Sequence, residues 1–153
     1  MQIFLFLTML AVQAPQASPA SWSGVWRLDV RQSSVDRDLP YKRGTCKIEP
    51  WEDGLKVTYD FVGTRGGVTH MEWIGKFDGK DYRVQGVDYI LTNAYSQVND
   101  RAYQIAVRVD GALSATTKVT ISPDGKTLTA VTTQKNARGD TVTTTMVYER
   151  QLS

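Results

Sequence analysis

Short turn signals cut this chain into strand-length pieces, and that spacing constrains the fold more than any other feature. The turns fall at Asp53-Gly54, Arg65-Gly66-Gly67, Asp78-Gly79, Asn99-Asp100, Asp110-Gly111, Pro123-Asp124-Gly125 and Arg138-Gly139-Asp140. Asp-Gly and its relatives accept the positive φ of tight hairpins, so each signal joins antiparallel neighbours. Between the turns apolar residues alternate with polar ones. Trp26, Leu28 and Val30 share one face; so do Leu55, Val57, Tyr59 and Phe61, and again Tyr103, Ile105, Val107 and Val109. Alternation marks a strand with one buried face, and no segment carries a long amphipathic helical stripe. The pattern predicts one all-β domain, an antiparallel up-and-down barrel of eight to ten strands. The polar segment Arg31 to Arg43, broken by Pro40, is predicted to loop over one barrel end. Thr45 to Glu49 is predicted to be a short strand stopped by Pro50.

Residues 1–20 stand apart. Ile3 to Val12 is an apolar run, and Gln13 to Ala20 is rich in small residues. Apolar core followed by small-residue cleavage region is the order of a secretory signal, so a cut before Ser21 and export to the periplasm or the extracellular space are expected. The run is near half of the roughly 20 apolar residues that a spanning helix needs, so no stable membrane anchor is expected after cleavage. The barrel domain is then 21–153. It keeps all 18 basic and 16 acidic residues, a net +2, interspersed and with no basic run longer than Lys42-Arg43. Nucleic-acid surfaces need clustered cations, so no nucleic-acid partner is expected. Cys46 is the only cysteine, which excludes an internal disulfide and predicts a buried, inert thiol.

The opening Gly24-Val25-Trp26, with trailing Leu28, and the closing Val147-Tyr148-Glu149-Arg150 resemble the first and last strands of the lipocalin and fatty-acid-binding group. Small secreted bacterial lipocalin-like proteins share this opening, an Asp-Gly-Lys hairpin and a Tyr-Glu-Arg finish. The resemblance implies a lipocalin-like, calycin-type barrel in which Arg150 packs across the Trp26 ring, so both are assigned structural roles. It also implies a small hydrophobic ligand in the lumen. Two features depart from the fatty-acid-binding pattern. The segment Arg31 to Arg43 is too short and polar for the helical pair found there. The carboxylate-binding Arg-x-Tyr becomes Met146-Val147-Tyr148, which keeps a hydroxyl without the cation.

By parity with Trp26 and Arg150, the candidate ligand-binding residues are Tyr59, Phe61, Tyr103, Met146 and Tyr148, with Trp73 added on less certain facing. Tyr82, Tyr89 and Tyr95 are further candidates; Arg83 and Gln85 lie on the face opposite Tyr82. Lumen pockets are mostly apolar with a few placed hydroxyls, the composition these residues supply. The same aromatics could instead fill the barrel. His70 and Glu72 share one strand face, and Met71 and Trp73 the other. If the His70 face points inward, an imidazole–carboxylate pair could transfer protons and the barrel could be an isomerase or hydrolase. Met71 and Trp73 have more apolar area to bury, which favours the opposite facing. One histidine and one cysteine cannot build a zinc site, and no phosphate loop or nucleophile elbow is present, so no metal or cofactor is expected. A third reading is a filled barrel whose loop at Arg31 to Arg43 binds another macromolecule.

Overall fold

A computed structural model describes residues 22–35 and 39–152; the expected signal sequence and its expected cleavage point lie outside the described residues. Ten strands lie among the described residues: β1 (Gly24–Val35), β2 (Tyr41–Trp51), β3 (Gly54–Gly63), β4 (Val68–Gly75), β5 (Tyr82–Gln85), β6 (Leu91–Asn99), β7 (Ala102–Val109), β8 (Ala112–Ile121), β9 (Thr127–Lys135) and β10 (Thr141–Arg150). Each pairs antiparallel with its chain neighbour, and β1 pairs with β10 to close the ring. The fold is an all-β, up-and-down closed barrel of the calycin type.

Local chemistry places the hairpins. Asp110 and Gly111 alone separate β7 from β8, with φ of 50° and 83°. Positive φ at both central residues is the requirement of a type I′ turn, whose twist matches that of the strands. The β2–β3 turn sits one residue earlier than the Asp-Gly signal suggests. Glu52 takes the positive φ, and Gly54 opens β3 opposite Trp51.

The segment Arg31 to Arg43 is not a long loop. β1 continues through an irregularity after Asp29 to pair Ser34 with Thr145 and Val35 with Thr144, and β2 begins at Tyr41, opposite Gly63. The connection is residues 36–40. Backbone pairing with long neighbours holds these polar residues in the sheet, a force that side-chain patterning does not report. Pro50 likewise sits inside β2, opposite Leu55, one residue before the strand ends.

Inward faces carry the core: Trp26, Leu28, Cys46, Ile48, Val57, Trp73, Tyr95, Tyr103, Val119, Leu128 and Tyr148 are all buried. His70 and Arg83 occupy outward positions and are exposed, as is Gln85. One end of the barrel is sealed. Trp26 donates its indole N–H to the Trp22 carbonyl at 3.0 Å, and the Arg150 guanidinium lies 4.2 Å over the Trp26 ring. Arg150 Nε also donates to the Gly125 carbonyl at 2.9 Å and Nη1 to the Ser23 carbonyl at 2.5 Å.

Candidate functional site in the upper lumen

An aromatic floor rises from the sealed end. Trp73 (β4) and Tyr95 (β6) have ring centroids 4.0 Å apart. Phe77, from the β4–β5 connection, stacks on Tyr95 at 5.2 Å with planes 7° apart. Tyr103 (β7) meets Phe77 at 5.0 Å and Trp22 edge-on at 4.5 Å. Trp73 Nε1 donates to the Asn93 carbonyl at 3.0 Å, so the largest ring in the lumen has its polar edge paired. Close ring contacts of this kind leave the lower half filled by the chain's own side chains.

The upper half differs. Tyr59, Met71, Val107, Ala130 and Met146 point inward against the core, yet each keeps part of its surface accessible. Thr132 and Thr144, on the same inner face, are half-buried too. Partial accessibility of its inward side chains distinguishes this wall from the closed floor. The hydroxyls of Thr117 and Thr132 are hydrogen-bonded at 2.8 Å on this wall.

Tyr59 stands where the two halves meet. Its hydroxyl is hydrogen-bonded to that of Tyr95. Burial pushes the hydroxyls of Tyr59, Tyr95, Tyr103 and Tyr148 above the usual tyrosine range, so all four are neutral at physiological pH. Cys46 lies among them, and burial pushes its thiol up to about 12. Asn93 Oδ1 is buried with no hydrogen-bond partner.

Of the six residues expected to line a ligand, all face inward, in two groups. Tyr59 and Met146 border the accessible space. Phe61, Trp73, Tyr103 and Tyr148 are covered by neighbours at 0–7% exposure. Tyr95 and Tyr82 also point inward, whereas Tyr89 is 44% exposed in the β5–β6 connection and lies outside the lumen. Sequence reasoning missed three contributors. Phe77 enters from a connection, Asn93 is a polar residue on an inward face, and Trp22 precedes the first strand. None carries a local signal, because each is placed by strands distant in sequence.

The inward histidine arrangement is not formed. Trp73 is fully buried, so His70 and Glu72 lie on the outer wall. There His70 Nδ1 is 2.5 Å from Asp60 Oδ1 and Nε2 is 3.5 Å from Glu72 Oε1. The hydrogen bond that the imidazole donates to Asp60 holds its pKa above 6.5. A lumen enzyme built on His70 and Glu72 is excluded by this facing. The Trp73 face turned inward because its apolar area outweighs that of the imidazole face. Beside Asp60, a shallow outer groove of about 240 Å³ runs between Arg27, Thr45, Val62 and Val68. The loop offered as a macromolecular surface is mostly strand, which reduces it to the short β1–β2 connection.

No protein-family model matches the chain, and no curated protein matches its sequence. Among solved structures, it is similar to the crystal structure of zebrafish ileal bile acid-binding protein complexed with cholic acid. The TM-score is 0.53 at 14% identity, over 86% of this chain and 99% of that one. At that identity the likeness is one of fold, and it agrees with the closed ten-stranded calycin barrel seen here.

Proposed function

We propose that this chain is an exported binding protein that carries a small hydrophobic molecule in the upper lumen. The observation that carries the reading is the change in the inner wall along the barrel axis. A closed aromatic floor ends at Tyr59, and above it inward apolar side chains keep accessible surface. A mostly apolar inner wall with a few neutral polar groups suits an apolar ligand. Each 100 Å² of apolar ligand surface covered there contributes about 2.5 kcal/mol before the cost of ordering. The bile-acid complex of the structural neighbour is a precedent for a ligand in this fold. Export is supported by the order of apolar core and small residues in 1–20.

Native mass spectrometry of the protein purified from an exporting host tests both parts. The expected result is a mature mass beginning near Ser21 together with a stoichiometric, solvent-extractable apolar compound. A bare mass, with no uptake of polarity-sensitive dyes, refutes the carrier; an uncleaved mass refutes export.

A further inference from the structure

Resting on the carrier reading, we propose that the lumen takes an uncharged ligand bearing a hydroxyl group, anchored at Tyr59 rather than by an ion pair. Above the aromatic floor, the inward positions among the described residues are apolar or neutral: Met71, Val107, Ala130, Thr132, Thr144 and Met146. The inward cation at the other end, Arg150, is committed to the Trp26 ring and to the Ser23 and Gly125 carbonyls. A carboxylate brought into this space leaves water and meets no opposite charge, an arrangement whose desolvation goes uncompensated. The tyrosines report the same environment, since burial disfavours their anionic forms.

The polar groups that are present suit a hydroxyl. Tyr95 is fully buried, and its oxygen faces the Tyr59 hydroxyl. Tyr59 is the half-buried member of the pair, which makes it the side of the cluster assigned to the ligand. An alcohol both donates and accepts, and so completes the pair whichever tyrosine holds the shared proton. An ester or carboxylate oxygen only accepts.

Competition against a lumen-bound fluorescent dye, with matched 12-carbon ligands, tests this on the full mature chain near neutral pH. The expected result is that 1-dodecanol displaces the dye at a concentration at least about tenfold below sodium dodecanoate, with methyl dodecanoate between them. In Tyr59→Phe, the affinity of dodecanol relative to that of the dye falls about fivefold, as expected for one hydrogen bond of ordinary net strength. Dodecanoate equal to or tighter than dodecanol overturns the inference and leaves the carrier reading standing. Dye uptake or ligand binding absent altogether overturns both. An unchanged dodecanol affinity in folded Tyr59→Phe overturns the anchor. If that variant fails to fold, the alcohol-to-carboxylate ratio of the native chain decides the matter alone.

Discussion

Replacing Arg150 with methionine removes a charge and a fork of donors while keeping an unbranched apolar stem. Three interactions go with it: the guanidinium 4.2 Å over Trp26, Nε to Gly125 O at 2.9 Å, and Nη1 to Ser23 O at 2.5 Å. A cation over a fully buried indole contributes about 1–2 kcal/mol. Hydrogen bonds from a charged donor contribute roughly 1.5–3 kcal/mol each. The terms share one side chain and are not additive, and methionine restores part of the packing over the ring. The expected loss is therefore about 3–4 kcal/mol, a large share of the stability of a single domain. Arg150→Lys keeps a positive charge near Trp26 but lacks the planar fork, and is expected to lose about half as much. Equilibrium urea unfolding followed by tryptophan fluorescence reads both. With a slope near 2 kcal/mol per molar, roughly the middle of the usual range, the Arg150→Met midpoint drops by about 1.5–2 M. A methionine variant within about 0.5 kcal/mol of the parent, the scatter of an ordinary surface change, refutes the idea that this contact seals the barrel end.

Three further outcomes are expected. Cys46, buried with its thiol pushed up to about 12, stays inert to a soluble disulfide reagent in the native protein and reacts once urea unfolds it; prompt native labelling contradicts the placement. The single imidazole titrates in proton NMR above 6.5, and Asp60→Asn lowers that midpoint. Because the folded pKa is the higher one, the pairing stabilises the fold below the unfolded value and ceases to do so as pH rises through the folded one, so the stability gap between Asp60→Asn and the parent closes in alkaline solution. Gly75→Ala sets a methyl 2.6 Å from both the Trp73 and Tyr82 rings and is expected to cost about 1–3 kcal/mol in thermal or urea unfolding; a neutral effect means that the floor yields.

The sequence reads well where one strand face is apolar and the other is polar. β3 alternates most cleanly, and the inward sets of β3, β7 and β10 follow from parity. β4 is decided by weighing Met71 and Trp73 against His70 and Glu72. β6 defeats the method because its inward face contains Asn93 and its outward face contains buried Ala94, which blurs the alternation. The polar continuation of β1 past Val30 was read as loop because its strand character comes from backbone pairing with β10 rather than from its side chains. The site is less legible than the fold for a related reason. Tyr59 and Tyr95 are 36 residues apart, and their contact is made by intervening hairpins that bring β3 and β6 to face each other across the lumen. Parity states that a side chain points inward; only the packed barrel separates the floor from the accessible wall.

Closure between the first strand and the last has a kinetic consequence. Arg150 reaches Ser23 across 127 residues of chain, so the contact that completes the ring is among the most distant in sequence that the molecule makes. Loop closure of that length precedes its reward, which predicts slow folding relative to domains built from local pairs. Until the ten residues of β10 are seated, β1 and β9 each present an unpaired edge, the geometry that invites pairing with other chains. A copy truncated by one strand at its carboxyl terminus is thus an open sheet with two adhesive borders, and it should aggregate rather than persist as a slightly smaller barrel.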